Sequence, residues 1–258
     1  MTRTPTYRRY RALLSPFNTS QMHRKNPWIP AFFSFSFPGF GHLLQHRYAK
    51  AFTLISWEIF INSRAQINTG IMYSLQGQFG RAKEILNPNW LMIYVAIYMF
   101  GIWDSYRSAV EMNNLYTLAD REDAPIQPIA MSTWDLNYLN KRVPWVASAW
   151  SLLAPGLGHL YLHKVLPGFF LFGWTIAIMY FSHIPMAMLH TAAGEFQRAK
   201  EVLNMQWTLY LPSIYCFVFY DSYVSAVEYN KLFEKEMSRH LRTNYQDTRF
   251  PMPRLQEG

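Results

Sequence analysis

The feature that most constrains this chain is that it contains itself twice. Displacing the sequence by 117 residues lays Pro27-Trp28 on Pro144-Trp145, and the register holds without a gap to Leu115 on Leu232, with about 36 of 89 positions identical. PGFGHL, Pro38 to Leu43, falls on PGLGHL, Pro155 to Leu160. FGRAKEILN, Phe79 to Asn87, falls on FQRAKEVLN, Phe196 to Asn204, and DSYRSAVEMN, Asp104 to Asn113, on DSYVSAVEYN, Asp221 to Asn230. A repeat of this strength means that one structural unit is built twice and that the two copies bury surface against each other.

Each copy holds three apolar segments. In the second they run from Trp145 to Leu162, from about Leu166 to Phe181, and from about Trp207 to Val224. A helix needs about 20 apolar residues to cross the hydrocarbon, so the second and third segments read as spans. The first is broken at its centre by Pro155-Gly156-Leu157-Gly158, and it either crosses as a kinked helix or dips in and returns. Lys and Arg favour the cytoplasmic side. Six crossings place 16 of these residues inside and 8 outside, and four crossings place 19 inside and 5 outside. The chain is therefore expected to be an all-α, multi-pass membrane helical bundle, with four crossings plus two re-entrant segments preferred over six crossings. In the middle span of the first copy, Glu58, Asn62 and Arg64 must face protein or the interface.

Composition fits this reading. Half of the residues are hydrophobic and only 16% are charged, against roughly 25% in soluble domains. The formal charge of +8 sits largely in the ends, on Arg3, Arg8, Arg9, Arg11, Arg24 and Lys25 and again on Lys231, Lys235, Arg239, Arg242, Arg249 and Arg254. Flanking apolar segments, these read as cytoplasmic anchors beside anionic headgroups rather than as a nucleic-acid surface. The expected organisation is a basic cytoplasmic tail (1–26), a first membrane repeat (27–115), a polar linker (116–143), a second repeat (144–232) and a second basic cytoplasmic tail (233–258). The expected partners are the lipid bilayer and other membrane or membrane-associated proteins. With one cysteine, Cys216, no intrachain disulfide is possible.

PGFGHLLQHRYAK and PGLGHLYLHKVLPG, each followed by an apolar run, resemble the glycine-containing hairpin of small bacterial membrane proteins related to the two-transmembrane-helix domain family. The segments from Asp104 to Asn113 and from Asp221 to Asn230 are similar to the close of its longer members. His42 and His159 stand where that pattern usually has glutamine, and the first copy lacks its later glycine. The resemblance implies a bacterial plasma membrane and no defined activity. Pro38, Gly39 and Gly41, with Pro155, Gly156 and Gly158, are expected to allow a sharp turn or close helix contact.

The histidines carry the sharper chemistry. His42 and His46 are four apart, as are His159 and His163, so a helix would project each pair from one face. Asp104, Ser108 and Glu111 form a polar stripe on the third segment, repeated by Asp221, Ser225 and Glu228. In either topology the end of the first segment and the end of the third lie on the same side, so histidines and acids of one copy are able to meet. Such a set would suit zinc, iron or manganese, or a proton relay. The plainer reading is a His–Asp hydrogen bond that pins the hairpin to the third helix, and it makes a metal cofactor a minor expectation. The copies are also expected to pack about a pseudo-two-fold axis that brings their third segments together.

Phe79 to Asn87 reads as a short amphipathic helix at the opposite interface, with Arg81 and Lys83 toward water or headgroups and Trp90 anchoring the next span. Arg198, Lys200 and Trp207 repeat the device. There is no phosphate-binding glycine loop, no G-x-S-x-G nucleophile and no CxxC. The leading expectation is a membrane scaffold or assembly protein without enzymatic activity. The alternatives are a channel or carrier for a small solute or ion, and a metal-dependent membrane enzyme using the His, Asp and Glu sets.

Overall fold

A computed structural model describes residues 10–126, 128–133 and 135–245, so the basic residues Arg3, Arg8, Arg9, Arg249 and Arg254 lie outside it. The described chain is mostly helical. Helices α1 (Trp28–Ser36), α2 (Phe40–Leu44), α3 (Tyr48–Ala65), α4 (Ile67–Leu75), α5 (Phe79–Ile85) and α6 (Pro88–Arg121) make up the first copy. The second repeats the order with α7 (Pro144–Leu153), α8 (Leu157–Tyr161), α9 (Val165–Ser182), α10 (Ile184–Ala192), α11 (Phe196–Val202), α12 (Met205–Thr208) and α13 (Tyr210–Asn244). Where α6 is continuous, the second copy breaks at Leu209. The cause is local, because Pro212 has no N–H to offer the carbonyl of Thr208, and an interior proline interrupts the helical ladder.

The first apolar segment of each copy turns back on itself. Gly39 and Gly156 have φ of 101° and 103°, a left-handed conformation that side chains with a Cβ rarely take. The following short helix then lies beside the one before it. A Cβ on Gly41 would sit 2.1 Å from the carbonyl oxygen of Pro30, and one on Gly158 would sit 2.2 Å from that of Ala147 and 2.1 Å from Ser151 Oγ. In a continuous helix, residues this far apart in sequence would be separated by about 16 Å. The hairpin closes at its mouth, where the Lys25 ammonium donates to the Leu44 carbonyl.

From that mouth α3 runs away and α6 runs back. Asn113 receives a hydrogen bond from the Lys25 amide at 2.9 Å and returns one to the Lys25 carbonyl at 2.7 Å. Asn230 brackets Arg142 in the same way, at 2.8 and 2.7 Å. At the far end α4 and α5 form a small helical hairpin. Asn87, aided by Pro88 at the first helical position, then starts α6 by accepting from the amides of Asn89 and Trp90. Asn204 likewise caps α12 through the Gln206 amide.

The copies meet through unlike faces. Phe40 of α2 stacks on Phe217 of α13 with centroids 4.2 Å apart, Phe33 packs on Phe217 and Tyr220, and Phe52 stacks on Phe170 at 4.0 Å. A two-fold relation would bury the counterparts Trp150 and Phe100 in the same manner, yet they are 46% and 48% exposed. The expected pseudo-two-fold axis is thus replaced by a head-to-tail contact. The third segments α6 and α13 meet at their tail ends, where Lys235 reaches Asp120, whereas Asp104 and Asp221 each find their polar partners within their own copy.

The ends are more structured than a pair of tails and a linker. Strands β1 (Ala12–Ser15) and β2 (Asn18–Gln21) form one antiparallel hairpin, and β3 (Ile129–Met131) and β4 (Leu136–Tyr138) form another. Ala12, Leu14, Ile126, Ala130 and Leu139 pack with Tyr229 and Leu232 of α13 into a second core. Helix α13 continues to Asn244, well past the expected end of the repeat. Asp120 receives hydrogen bonds from Lys235 at 2.8 Å and from Arg11. These hold its carboxylate below the usual range, Lys235 first. The tie is therefore full above the ordinary aspartate pKa and is lost as pH falls through the lowered one.

The hairpin geometry makes a direct prediction. Gly158→Ala should destabilise by about 1–3 kcal/mol through forced overpacking. Gly173→Ala, where an added Cβ meets nothing within 4 Å, should be neutral or slightly stabilising. Thermal melts of the purified variants compare them, and equal melting of Gly158→Ala and wild type would contradict the folded-back hairpin.

Candidate functional site

The residues shared by the two copies converge where the hairpin meets the third helix. Folding α2 back on α1 carries His42 to the α6 face that bears Asp104, and Nε2 lies 2.8 Å from Asp104 Oδ2. His159 and Asp221 repeat the contact at 2.8 Å. Both imidazoles are wholly buried and both carboxylates nearly so, at 7% and 4% exposure. With Nε2 carrying the proton, each imidazole donates to a carboxylate held in the interior of a helix, where an unmet charge is costly.

A cation follows each histidine and completes the site. Arg47 donates to Ser108 at 2.8 Å and lies 3.7 Å from Glu111. Its counterpart Lys164 donates to Ser225 at 2.7 Å and lies 3.8 Å from Asp221. In the first copy Lys50 adds a 2.8 Å ion pair to Asp104, where the second copy has Pro167. Ser225 in turn donates to Asp221 Oδ1 at 3.1 Å. The sequence reading passed over Arg47, Lys50 and Lys164. The signal for two of them was present, since a basic residue follows the second histidine at the same place in both copies.

The HxxxH pairs do not share a helical face. Helices α2 and α8 end at Leu44 and Tyr161, and His46 and His163 take left-handed φ of 58° and 59°. This turn sends the second histidine of each pair outward, to the β1–β2 hairpin. His163 Nε2 donates to the Pro16 carbonyl at 2.8 Å. His46 Nδ1 meets the Tyr48 hydroxyl at 2.8 Å, and that hydroxyl donates to Asn18 at 3.1 Å. The two histidines of a pair therefore do different work, one inside the bundle and one on its cap.

Of each acidic stripe the aspartate meets the first histidine of the pair and the glutamate turns elsewhere. Glu111 pairs with Arg107 at 2.9 Å, and Glu228 pairs with Lys231 at 2.7 Å. Among the described residues no group of three or more His, Cys, Asp or Glu side chains is placed to hold a metal ion. The residues expected at an interface fall outside this cluster. Arg81, Lys83, Arg198 and Lys200 are exposed on α5 and α11, Trp90 packs edge-on against Phe60 at 5.8 Å, and Trp207 stacks on Phe181 at 4.7 Å. Cys216 is exposed.

A second polar cluster lies at the far end between the copies. Asn62 donates to Glu58 at 2.9 Å and to Asn68 at 3.1 Å, and accepts from Gln206 of the second copy at 2.8 Å. Gln206 also accepts from the Thr69 amide at 3.0 Å. Glu58, Asn62, Asn68 and Gln206 are all buried in protein, so Glu58 and Asn62 of this span are met inside the molecule, while Arg64 is exposed. The second copy has Thr175 and Met179 at the places of Glu58 and Asn62, so this cluster belongs to the contact between copies and not to the repeat.

The bracket has a measurable character. His159→Gln keeps a donor near Asp221 and should retain most of the stability, whereas His159→Ala should cost about 1–3 kcal/mol by leaving a buried carboxylate short of a partner. Neither effect should change with a chelator. Thermal melts with and without chelator test this, and a chelator-sensitive wild type with equally damaged Gln and Ala variants would assign the site to a metal instead.

The comparisons add no relative. No protein-family model matches the chain, and neither a curated protein nor a solved structure matches it. The likeness to the two-transmembrane-helix domain family thus rests on the hairpin motifs quoted above.

Proposed function

We propose that this chain is an integral membrane scaffold or assembly protein without enzymatic activity, held in a bacterial plasma membrane by four crossings and two re-entrant hairpins, with both termini cytoplasmic. The observation that carries the reading is where the polar residues common to both copies are engaged. His42, Asp104, Asn113, His159, Asp221 and Asn230 all fasten a hairpin to a third helix. What remains for partners is surface.

That surface favours lipid around the middle. Phe32, Phe35, Met99, Trp150 and Phe169 are 63%, 60%, 62%, 46% and 61% exposed, a density of outward apolar groups that water would not tolerate in a monomer. Among the described residues α9 is the one helix long and apolar enough to span by itself, and α5 with α6 meets the same test as a pair bent by 91°. Helix α3 carries more polar residues, of which Glu58 and Asn62 face protein, whereas Arg64 at its end is exposed. On the tail side, Phe233, Met237 and Leu241 of α13 line a groove of about 510 Å³ with charged residues at its edge. It is an apolar surface away from the bilayer, of the kind a scaffold presents to membrane-associated proteins.

Topology and transport test the proposal together. In a Cys216→Ala background, Gln76→Cys should react with an impermeant thiol reagent in intact cells, whereas Asp123→Cys and Thr243→Cys should react only after lysis. Labelling of Asp123→Cys with protection of Thr243→Cys would replace four crossings by six. Purified protein in liposomes should give no ion or solute flux above empty vesicles, and a saturable flux would replace the scaffold by a carrier.

A further inference from the structure

At the tail side, where the first copy lies against α13, the contact between copies leaves a crevice. A cavity of about 120 Å³ is lined by His23, Arg24, Lys25 and Asn26 ahead of α1 and by Asp221, Ser225 and Glu228 of α13. A second cavity of about 100 Å³ is lined by Arg11, Lys231 and Lys235, and shares His23 and Glu228 with the first. His23 thus stands between the two.

The polar groups here are out of balance. Asp221 is already bonded to His159 and lies beside Lys164, and Glu228 is paired with Lys231. Among the described residues Arg24 has no hydrogen-bond or ion-pair partner, and the Lys25 ammonium donates to a carbonyl without forming an ion pair. Both ring nitrogens of His23 are buried and have no partner. Buried imidazole nitrogens are almost always hydrogen-bonded, and the unpaired Arg24 beside them, with Lys25 attracted by Asp221 and Glu228 without an ion-pair contact to either, leaves a positive field that an anion relieves.

The position is built rather than loose. Asn113 clamps the backbone of Lys25 through both its amide and its carbonyl. The equivalent Arg142 of the second copy makes the same backbone clamp, but its guanidinium lies over the Tyr161 ring at 5.5 Å. The crevice is therefore peculiar to the contact between copies.

We propose that this crevice binds a phosphate group, presented by an anionic lipid headgroup or by a soluble phosphate, with His23, Arg24 and Lys25 as its donors. Guanidinium and ammonium groups bind phosphate oxygens through charge-assisted hydrogen bonds, and the imidazole N–H adds a neutral one. Burial draws the Lys25 ammonium down to about 7, and a bound dianion would restore its charge. The mouth of each hairpin lies on this same side, so in a bilayer the crevice opens at headgroup level, where basic groups meet anionic lipids.

The test uses the full chain in nanodiscs of phosphatidylcholine, in matched discs containing phosphatidic acid, and in phosphatidylcholine discs with added inorganic phosphate. Wild type should show a saturable rise in melting temperature in one of the latter two. Phosphatidic acid alone as the effective source identifies a headgroup site, and inorganic phosphate as effective identifies a soluble ligand. Arg24→Gln, at an exposed position, and His23→Phe should weaken the response about tenfold, the cost of one charge-assisted contact. Arg81→Gln at the far end should leave it unchanged. The absence of any response in wild type would mean that water alone fills the crevice, and an equal response in Arg24→Gln and Arg81→Gln would mean unspecific charge; either overturns the proposal.

Discussion

A carboxylate set deep within an apolar helix is costly unless a partner is brought to it, and in this chain that partner comes from a loop that folds back. Asp104 and Asp221 sit in the interior of α6 and α13, far from either helix end. The groups that meet them, His42 and His159, are delivered by hairpins that exist because glycine occupies two places in each. One glycine supplies a left-handed backbone and the other lets two helices touch. A Cβ at either place would be strained or would clash with the facing helix. The His–Asp pair is buried, so breaking it would leave a polar group short of a partner, which is a larger effect than the modest net gain of making it.

The other contacts fall into line behind this one. The asparagines at 113 and 230 fix where the chain enters the hairpin, and Arg47 and Lys164 fill the layer between. The second histidine of each pair, turned outward by its left-handed φ, fastens the β1–β2 hairpin to the end of the bundle. Two nearly identical units are then joined unequally. The aromatic stack of Phe40 on Phe217 and the Asn62–Gln206 bond have no equivalents on the opposite faces. The far-end cluster is not repeated, because Glu58 and Asn62 become Thr175 and Met179.

Much of this was legible in the residues. The gapless repeat announced one unit made twice, the Pro-Gly-x-Gly break announced a kink or a turn, and the expected placing of both segment ends on one side allowed histidine and aspartate to meet. The failures have physical causes. A spacing of four suggests one helical face only while the helix lasts, and α2 ends before His46. Short strands such as Asn18–Gln21 carry too few residues to show an alternation, so the N-terminal hairpin read as a tail. The relation between copies cannot be read from a repeat at all, because an unlike-face contact and a two-fold contact are compatible with the same two sequences. The clamping role of Asn113 and Asn230 was hidden because their bonds run to backbone, which leaves no residue type to notice.

The central claim is that a His–Asp bond within each copy holds the hairpin to the third helix. A double-mutant cycle on His159→Ala and Asp221→Ala, read by thermal or denaturant melts of the purified protein, tests it most directly. Coupled partners should show an interaction energy of about 1–3 kcal/mol, with the double variant less damaged than the sum of the singles. The same cycle on His159 and Asp104, which belong to different copies, should be additive. Additivity in the first cycle, or equal coupling in both, would contradict the account.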